Sequence, residues 1–230
     1  MSVNPLSQTV YQKFGKRGID ILFSSLGIIL LWPIFLIIAI LIKLDSPGPV
    51  IFKQKRVGKD GEIFTFYKFR NMVVNAEKLK KKYLHLNEAN GPVFKIRNDP
   101  RYTRVGKFLS HTGLDELLQL LNILKGEMSL VGPRPLPVDE EAQILKKWQV
   151  KRRQVKPGIA CSWLLKGVHS LSFAQWMKLD IEDIRRSSFL YDLGLFIRVV
   201  LFGLKLIKSE AQQKNHFPFR ADNMKEFGRV

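Results

Sequence analysis

The sequence predicts an α+β chain, mainly α. An N-terminal membrane helix of re-entrant type comes first. A compact helical domain follows, with a small β-hairpin and interfacial amphipathic helices. Three observations predict this: residues 21–42 carry no charge, two β-prone runs flank Gly58-Lys59-Asp60-Gly61, and leucines recur at helical spacing within residues 114–125.

The apolar run ILFSSLGIILLWPIFLIIAILI would be about 33 Å long as a helix, enough for a bilayer core. It is too long for the core of a signal peptide. Lys13, Lys16 and Arg17 precede it, and Lys43, Lys53, Lys55 and Arg56 follow it. Positive charge tends to stay on the cytoplasmic side, so both ends favour one side. Trp32-Pro33 lies near the middle, and proline removes a helix hydrogen bond and bends the axis. A helix that enters one leaflet and returns fits both observations; a straight span and a buried core helix are the plain alternatives.

Asp45-Ser46-Pro47-Gly48-Pro49 ends the helix, so the first unit is residues 1–48. The second runs over residues 49–208. It opens with VIFKQKRVGKDGEIFTFYKFR, which reads as a hairpin. Residues 73–90 read as a basic helix, and 114–125 as an amphipathic one. Gly132-Pro133-Arg134-Pro135 is a rigid loop, and residues 139–149 read as helix. Residues 144–158 hold Lys and Arg around Trp148 without an acid, which suits either a lipid headgroup layer or a solvated face. Residues 189–207 are mostly apolar, with Arg198 and Lys205 on one helical face. They read as an interfacial helix or a core helix. Residues 209–230 form a polar tail.

The chain has 230 residues and a formal net charge of +18. That excess seeks anions: nucleic acid, anionic lipid or phosphorylated ligands. The mean hydropathy of −0.05 is too low for a polytopic transporter. A lone cysteine, Cys161, forms no intrachain disulfide and completes no structural zinc site. No RNP1 pattern, helix-turn-helix or zinc-finger spacing supports a nucleic-acid binder.

Three places could carry chemistry. Asp115 and Glu116 open the amphipathic helix. Thr112-Gly113-Leu114-Asp115 fits a variant capping box, with acids in the first turn. The same carboxylates suit an ionised nucleophile at phosphorus, aided by a metal that screens anion repulsion. Arg134, fixed between prolines, suits either a diphosphate or a structural ion pair. Gln54, Arg56, Lys68 and Arg70 put polar and basic groups on the hairpin, as a phosphate cradle or as ordinary solvated cations.

Together these residues resemble the bacterial sugar transferase family, the monotopic polyprenol-phosphate phosphoglycosyl transferases. The likeness rests on KRGIDILFSSLGIILLWPIFLIIAILIKLDSPGPVIFKQKRVGKDGEIFTFYKFRNM, GPVFKIRNDPRYTRVGKFL and above all LDELLQLLNILKGEMSLVGPRPL, with weaker KPG and LDIEDIRRSSFLYDLGLF, in that order. The resemblance implies a re-entrant helix and a catalytic domain on the cytoplasmic face of the bacterial inner membrane. It implies a UDP-sugar as donor and undecaprenyl phosphate as acceptor. Asp115 would be the nucleophile, expelling UMP and holding the phosphosugar; Glu116 would be its partner acid. Mg²⁺ would sit at Asp115 and Glu116. Arg134, Lys68, Arg70, Arg56 and Gln54 would bind substrate phosphates. The product would feed downstream glycosyltransferases that build exopolysaccharide, capsule, O-antigen or glycoprotein.

The chain departs from the family pattern at four places. Trp32-Pro33 stands where Ser-Pro is frequent, and Ser110 where Arg is frequent. Leu164 and Val168 replace a Gln and an Arg after KPG. A non-catalytic membrane scaffold is the alternative of a different class.

Overall fold

The computed structural model describes residues 10–144, 146–167 and 171–212. A helix α1 (Lys16–Asp45) is continuous through Pro33. It is not a core helix: only 11% of its most apolar window is buried, and Leu22, Ile29, Leu30 and Trp32 are all exposed. Both of its ends are fastened to the same domain by buried polar bonds. Near the start, Asp20 Oδ1 accepts from Ser129 Oγ at 3.0 Å and from the Leu130 N–H at 2.9 Å. At the end, Asp45 Oδ2 accepts from the Val105 N–H at 3.0 Å. The domain therefore runs alongside the whole helix.

Strands β1 (Ile51–Val57) and β2 (Ile63–Phe69) form the expected antiparallel hairpin, pairing Ile51 with Phe69 and Val57 with Ile63. Phe64 and Phe66 point into the core beneath α1, as the alternation requires. The basic stretch after it is helical in two pieces, α2 (Ala76–Leu79) and a 3-10 segment Lys80–Leu86. Next come α3 (Arg104–Thr112), a 3-10 turn Leu114–Leu118, and α4 (Gln119–Lys125). A second sheet, which local pattern does not predict, pairs β3 (Ser129–Val131) in parallel with β4 (Gly158–Ala160).

The single helix expected over residues 139–149 is instead two short ones, α5 (Val138–Glu141) and α6 (Lys147–Val150). The basic segment 144–158 is a solvated face only in part: Lys146 and Lys147 are exposed, but the rest of its described residues turn inward. Trp148 packs against a core cluster with Trp163 and Trp176, and Arg152 is buried between Glu141 and Asp180. Burying a charge requires such partners. Helices α7 (Ser162–Leu165), α8 (Phe173–Arg186) and α9 (Phe189–Gln212) complete the fold.

Helix α9 buries only Asp192 and Leu195, which excludes the core-helix reading. Leu190, Val200, Leu201 and Leu204 remain exposed, and Arg198 and Lys205 are also at the surface. Lys16 pairs with Asp192, and the Phe23 and Phe196 rings lie 6.5 Å apart, joining α1 to α9. Two largely apolar helices thus meet on one side of the domain. Val168 and residues 213–230 of the tail lie outside the described residues.

Candidate active site

Glycine at position 113, with φ of 75°, ends α3 and turns the chain into Leu114–Leu118. This is the left-handed conformation glycine adopts without penalty. The turn sets Asp115 inward, where it is 4% exposed. The capping-box reading fails here. Thr112 Oγ1 donates back to the Phe108 carbonyl at 2.7 Å, and no side chain caps the segment that follows. Asp115 and Glu116 do lie in the first turn of Leu114–Leu118, as expected, but without the capping bond.

Its partner comes from the end of the hairpin. Asn71 Nδ2 donates to Asp115 Oδ2 at 2.9 Å, and Lys68 Nζ donates to Asn71 Oδ1 at 3.3 Å. Asn71 itself is fixed from behind, because its carbonyl accepts from the Thr103 N–H at 3.2 Å. Asn71 carries no signal of this role in the local sequence: it sits within the KFRNM run, 44 residues from the acid.

Glu116 and Arg134 form a two-pronged ion pair: Nη1 donates to Oε2 at 2.8 Å and Nη2 to Oε1. Such fork-to-fork pairing fixes both planes. The Pro-Arg-Pro loop is braced in turn, because Arg56 Nη1 donates to the Pro135 carbonyl at 2.9 Å and Arg152 Nη2 to the Arg134 carbonyl. Arg56 stacks on Phe66 at 3.8 Å, and its Nε donates to Gln54 Oε1 at 3.1 Å. Gln54, Arg56, Lys68, Asp115, Glu116 and Arg134 thus face one cavity of about 1080 Å³.

Arg70 is engaged differently. Its guanidinium donates to the carbonyls of Ser46 and Pro47, at 2.8 Å and 2.7 Å, and so ties the end of α1 to the hairpin. Ser110 lines the cavity and donates to the Tyr102 hydroxyl oxygen at 2.9 Å; Leu164 also lines it. Trp32 and Pro33 are exposed on α1.

The two acids are shifted in opposite directions. Burial pushes the Asp115 carboxyl up to about 7, against the pull of Lys68. Burial also opposes charge on Glu116, but the Arg134 guanidinium outweighs it and holds that carboxyl well below the usual range. Burial lowers the Lys68 ammonium despite Asp115 nearby. Neighbouring acids with separated pKa values divide roles: one is permanently charged, and one switches near neutrality.

The cavity has two kinds of wall. One is the polar and cationic cluster just described. The other is apolar and belongs to the exposed helices, with Phe23, Leu31, Phe196 and Val200 among its residues.

Comparison with known proteins gives a consistent result. The chain is 41% identical over 193 residues to a galactosyl transferase, CpsE, of Streptococcus agalactiae, covering 84% of this chain and 42% of that protein. It is 34% identical over 189 residues to the exopolysaccharide production protein ExoY of Rhizobium meliloti, covering 80% and 83%. It is 37% identical over 196 residues to the UDP-glucose:undecaprenyl-phosphate glucose-1-phosphate transferase of Escherichia coli, covering 82% and 40%. Against CpsE and the Escherichia coli enzyme, the chain thus spans about two fifths of the relative's length. The family model for bacterial sugar transferases matches residues 11–205, which takes in α1, the hairpin, the Asp115-Glu116 pair and the Pro-Arg-Pro loop, and the chain belongs to the bacterial sugar transferase family.

Proposed function

We propose that this protein transfers a sugar-1-phosphate from a UDP-sugar to a polyprenol phosphate, with release of UMP. One observation carries the reading: a buried carboxyl, Asp115, lies among cations in a cavity whose opposite wall is built from exposed apolar helices. That arrangement suits a reaction between a water-soluble diphosphate and a lipid phosphate.

Ionised Asp115 attacks the β-phosphorus of the donor. An acyl phosphate bond forms, the bond to the bridging oxygen breaks, and the electron pair leaves with UMP. An oxygen of the lipid phosphate then attacks the same phosphorus and returns the Asp115 carboxylate. Asn71 and Lys68 orient the nucleophile. Arg134 holds Glu116 charged and brings cationic surface to the donor.

Among the described residues no cluster of three or more acids, histidines or cysteines could hold a metal, so Mg²⁺ at Asp115 and Glu116 would take most of its ligands from substrate phosphates and water and would have to share the Glu116 oxygens with Arg134. Bound there, the ion would neutralise phosphate charge during displacement.

The apolar faces of α1 and α9 would lie in one leaflet of the bacterial plasma membrane, on its cytoplasmic side. Anchoring of both α1 ends to a single domain supports a re-entrant helix over a straight span, since a spanning helix carries one end about 30 Å away. The basic surface would be drawn to anionic lipid.

The test is UMP release from UDP-glucose, UDP-galactose and UDP-N-acetylgalactosamine, with the protein in nanodiscs containing undecaprenyl phosphate. Lipid-dependent release that stops on chelation of Mg²⁺ is expected with at least one donor. Release from none, by folded membrane-bound protein, overturns the proposal and favours the scaffold.

Gly106 offers a sharper probe of geometry. A Cβ there would fall 1.9 Å from the Asn71 carbonyl oxygen, so alanine must displace Asn71 from Asp115. Gly106→Ala is expected to cut kcat about 100-fold, as misplacement by about 1 Å does. Unchanged turnover would show that Asn71 does not position the acid.

A further inference from the structure

The cavity holds a cation, Lys95, to which neither the candidate residues nor the reaction above gives a role. Lys95 lies in GPVFKIR, on the segment between the 3-10 stretch Lys80–Leu86 and α3. The segment is knotted by Asn87. Its Oδ1 accepts from the Lys95 N–H at 2.8 Å, and its Nδ2 donates to the Val93 carbonyl at 3.2 Å. The Lys95 carbonyl accepts from the Glu88 N–H at 2.9 Å. The backbone that presents this side chain is therefore fixed on both sides.

Most cations along the cavity are already committed. Arg134 pairs with Glu116, Arg152 with Glu141 and Asp180, and Arg101 with Asp99. Arg56 and Arg70 donate to backbone carbonyls. Lys95 differs. Among the described residues its ammonium has no hydrogen bond and no carboxylate within ion-pair distance, and it lies 6.0 Å from the centre of the Trp176 ring. Burial first, and then the field of Arg134, bring its pKa down to about 8, with Glu116, Cys161 and Asp115 pulling the other way. A partly desolvated, unpaired ammonium held in place is a site prepared for an anion.

Its position selects which anion. In phosphoryl transfer the attacking and leaving oxygens stand roughly in line, so the leaving phosphate lies across the reacting phosphorus from the nucleophile. Lys68 is linked to Asp115 through Asn71, on the attacking side. Lys95 lies instead beside Trp176, whose ring stacks on Trp163 at 4.9 Å in a core cluster that includes Leu164 and no residue of α1 or α9. Trp176 Nε1 in that cluster is buried without a hydrogen-bond partner.

We propose that Lys95 binds the α-phosphate of the nucleotide donor and carries the charge of UMP as it leaves, which places the donor against the wall of Trp163 and Trp176. The proposal rests on the transferase reading above and adds to it the location of the leaving group.

The experiment compares wild type, Lys95→Met and Lys95→Arg in nanodiscs, with two readouts. The first is direct binding of UMP by calorimetry. Lys95→Met is expected to weaken UMP roughly tenfold to hundredfold, the effect of losing a charged hydrogen bond, and Lys95→Arg to recover most of it. The second is steady-state kinetics. The donor kcat/KM should fall in Lys95→Met while the KM for undecaprenyl phosphate stays within about twofold, because the acceptor uses the other wall. Equal UMP affinity in wild type and Lys95→Met overturns the assignment, as does a shift confined to the acceptor KM. A wild type that binds no UMP defeats the transferase reading itself, and that failure shows before any variant is made. Thermal melting of each variant guards against misfolding, and Lys95→Gln, which also removes the charge, takes the place of Lys95→Met if that variant does not fold.

Discussion

Asp115→Asn is expected to abolish UMP release and, at the same time, to raise the melting temperature. Loss of turnover follows from loss of the nucleophile, since an amide cannot form the acyl phosphate. The gain in stability follows from burial. Desolvation raises the folded-state pKa of Asp115 from an ordinary 3.8 to about 7, the attraction of Lys68 being too small to offset it. The folded protein therefore holds a proton that the unfolded chain gives up between those values. Wild-type stability contributed by this group is complete below pH 4 and is lost as pH rises through 7. Asparagine does not ionise, and its Oδ1 can still accept from Asn71. The variant's advantage should be absent near pH 4 and largest above pH 7, about 3 °C or more if it exceeds 1 kcal/mol. Melting curves at several pH values check this. A variant that loses both activity and stability at pH 8 would mean that Asp115 is a structural acid.

Arg152→Met should have the largest effect on stability. The Arg152 guanidinium holds Glu141 Oε2 at 2.9 Å and Asp180 Oδ2 at 3.1 Å, and both acids are almost wholly inaccessible. Even with Arg152 present, burial raises Asp180 to about 6. Removing the cation leaves two buried carboxyls with too few partners, a change that costs about 3–5 kcal/mol. At roughly 2–4 °C per kcal/mol for a domain of this size, melting should fall by about 10 °C. Arg153 still reaches Glu141, and Trp163 Nε1 still donates to Asp180 at 3.0 Å, so the domain is weakened but not emptied of contacts. Adding Asp180→Asn to Arg152→Met should recover part of the loss. A fall below about 1 kcal/mol, or no recovery, would refute the network. Because Arg152 also donates to the Arg134 carbonyl, the same variant should weaken donor binding.

Several features were legible from local sequence. An uncharged run of this length specifies a long apolar helix whatever surrounds it. The Gly58–Gly61 turn between alternating strands specifies a hairpin. The adjacent acids Asp115 and Glu116 and an arginine fixed between prolines are each visible locally, although the pairing of Glu116 with Arg134 spans 18 residues.

Other features depend on groups far apart in the chain. Trp148 and Arg152 read locally as a basic amphipathic stretch. The acids that draw Arg152 inward arrive from α5 and α8, and nothing within a helical turn of it shows them. Thr112 is the last residue of α3, and its hydroxyl bonds back to the Phe108 carbonyl of the preceding turn instead of capping the next segment. The pairing of β3 with β4 joins strands separated by most of thirty residues, and three-residue strands carry no periodicity to read. Asn71 and Lys95 are ordinary polar residues in sequence, and only packing puts one against Asp115 and leaves the other unpaired in the cavity. Periodicity and turn chemistry act over a few residues, so the sequence by itself determined the long apolar helix, the hairpin and the adjacent acids. Desolvation and long-range pairing depend on which elements meet, so the tertiary structure alone decided which acid titrates near neutrality and which cations are paired.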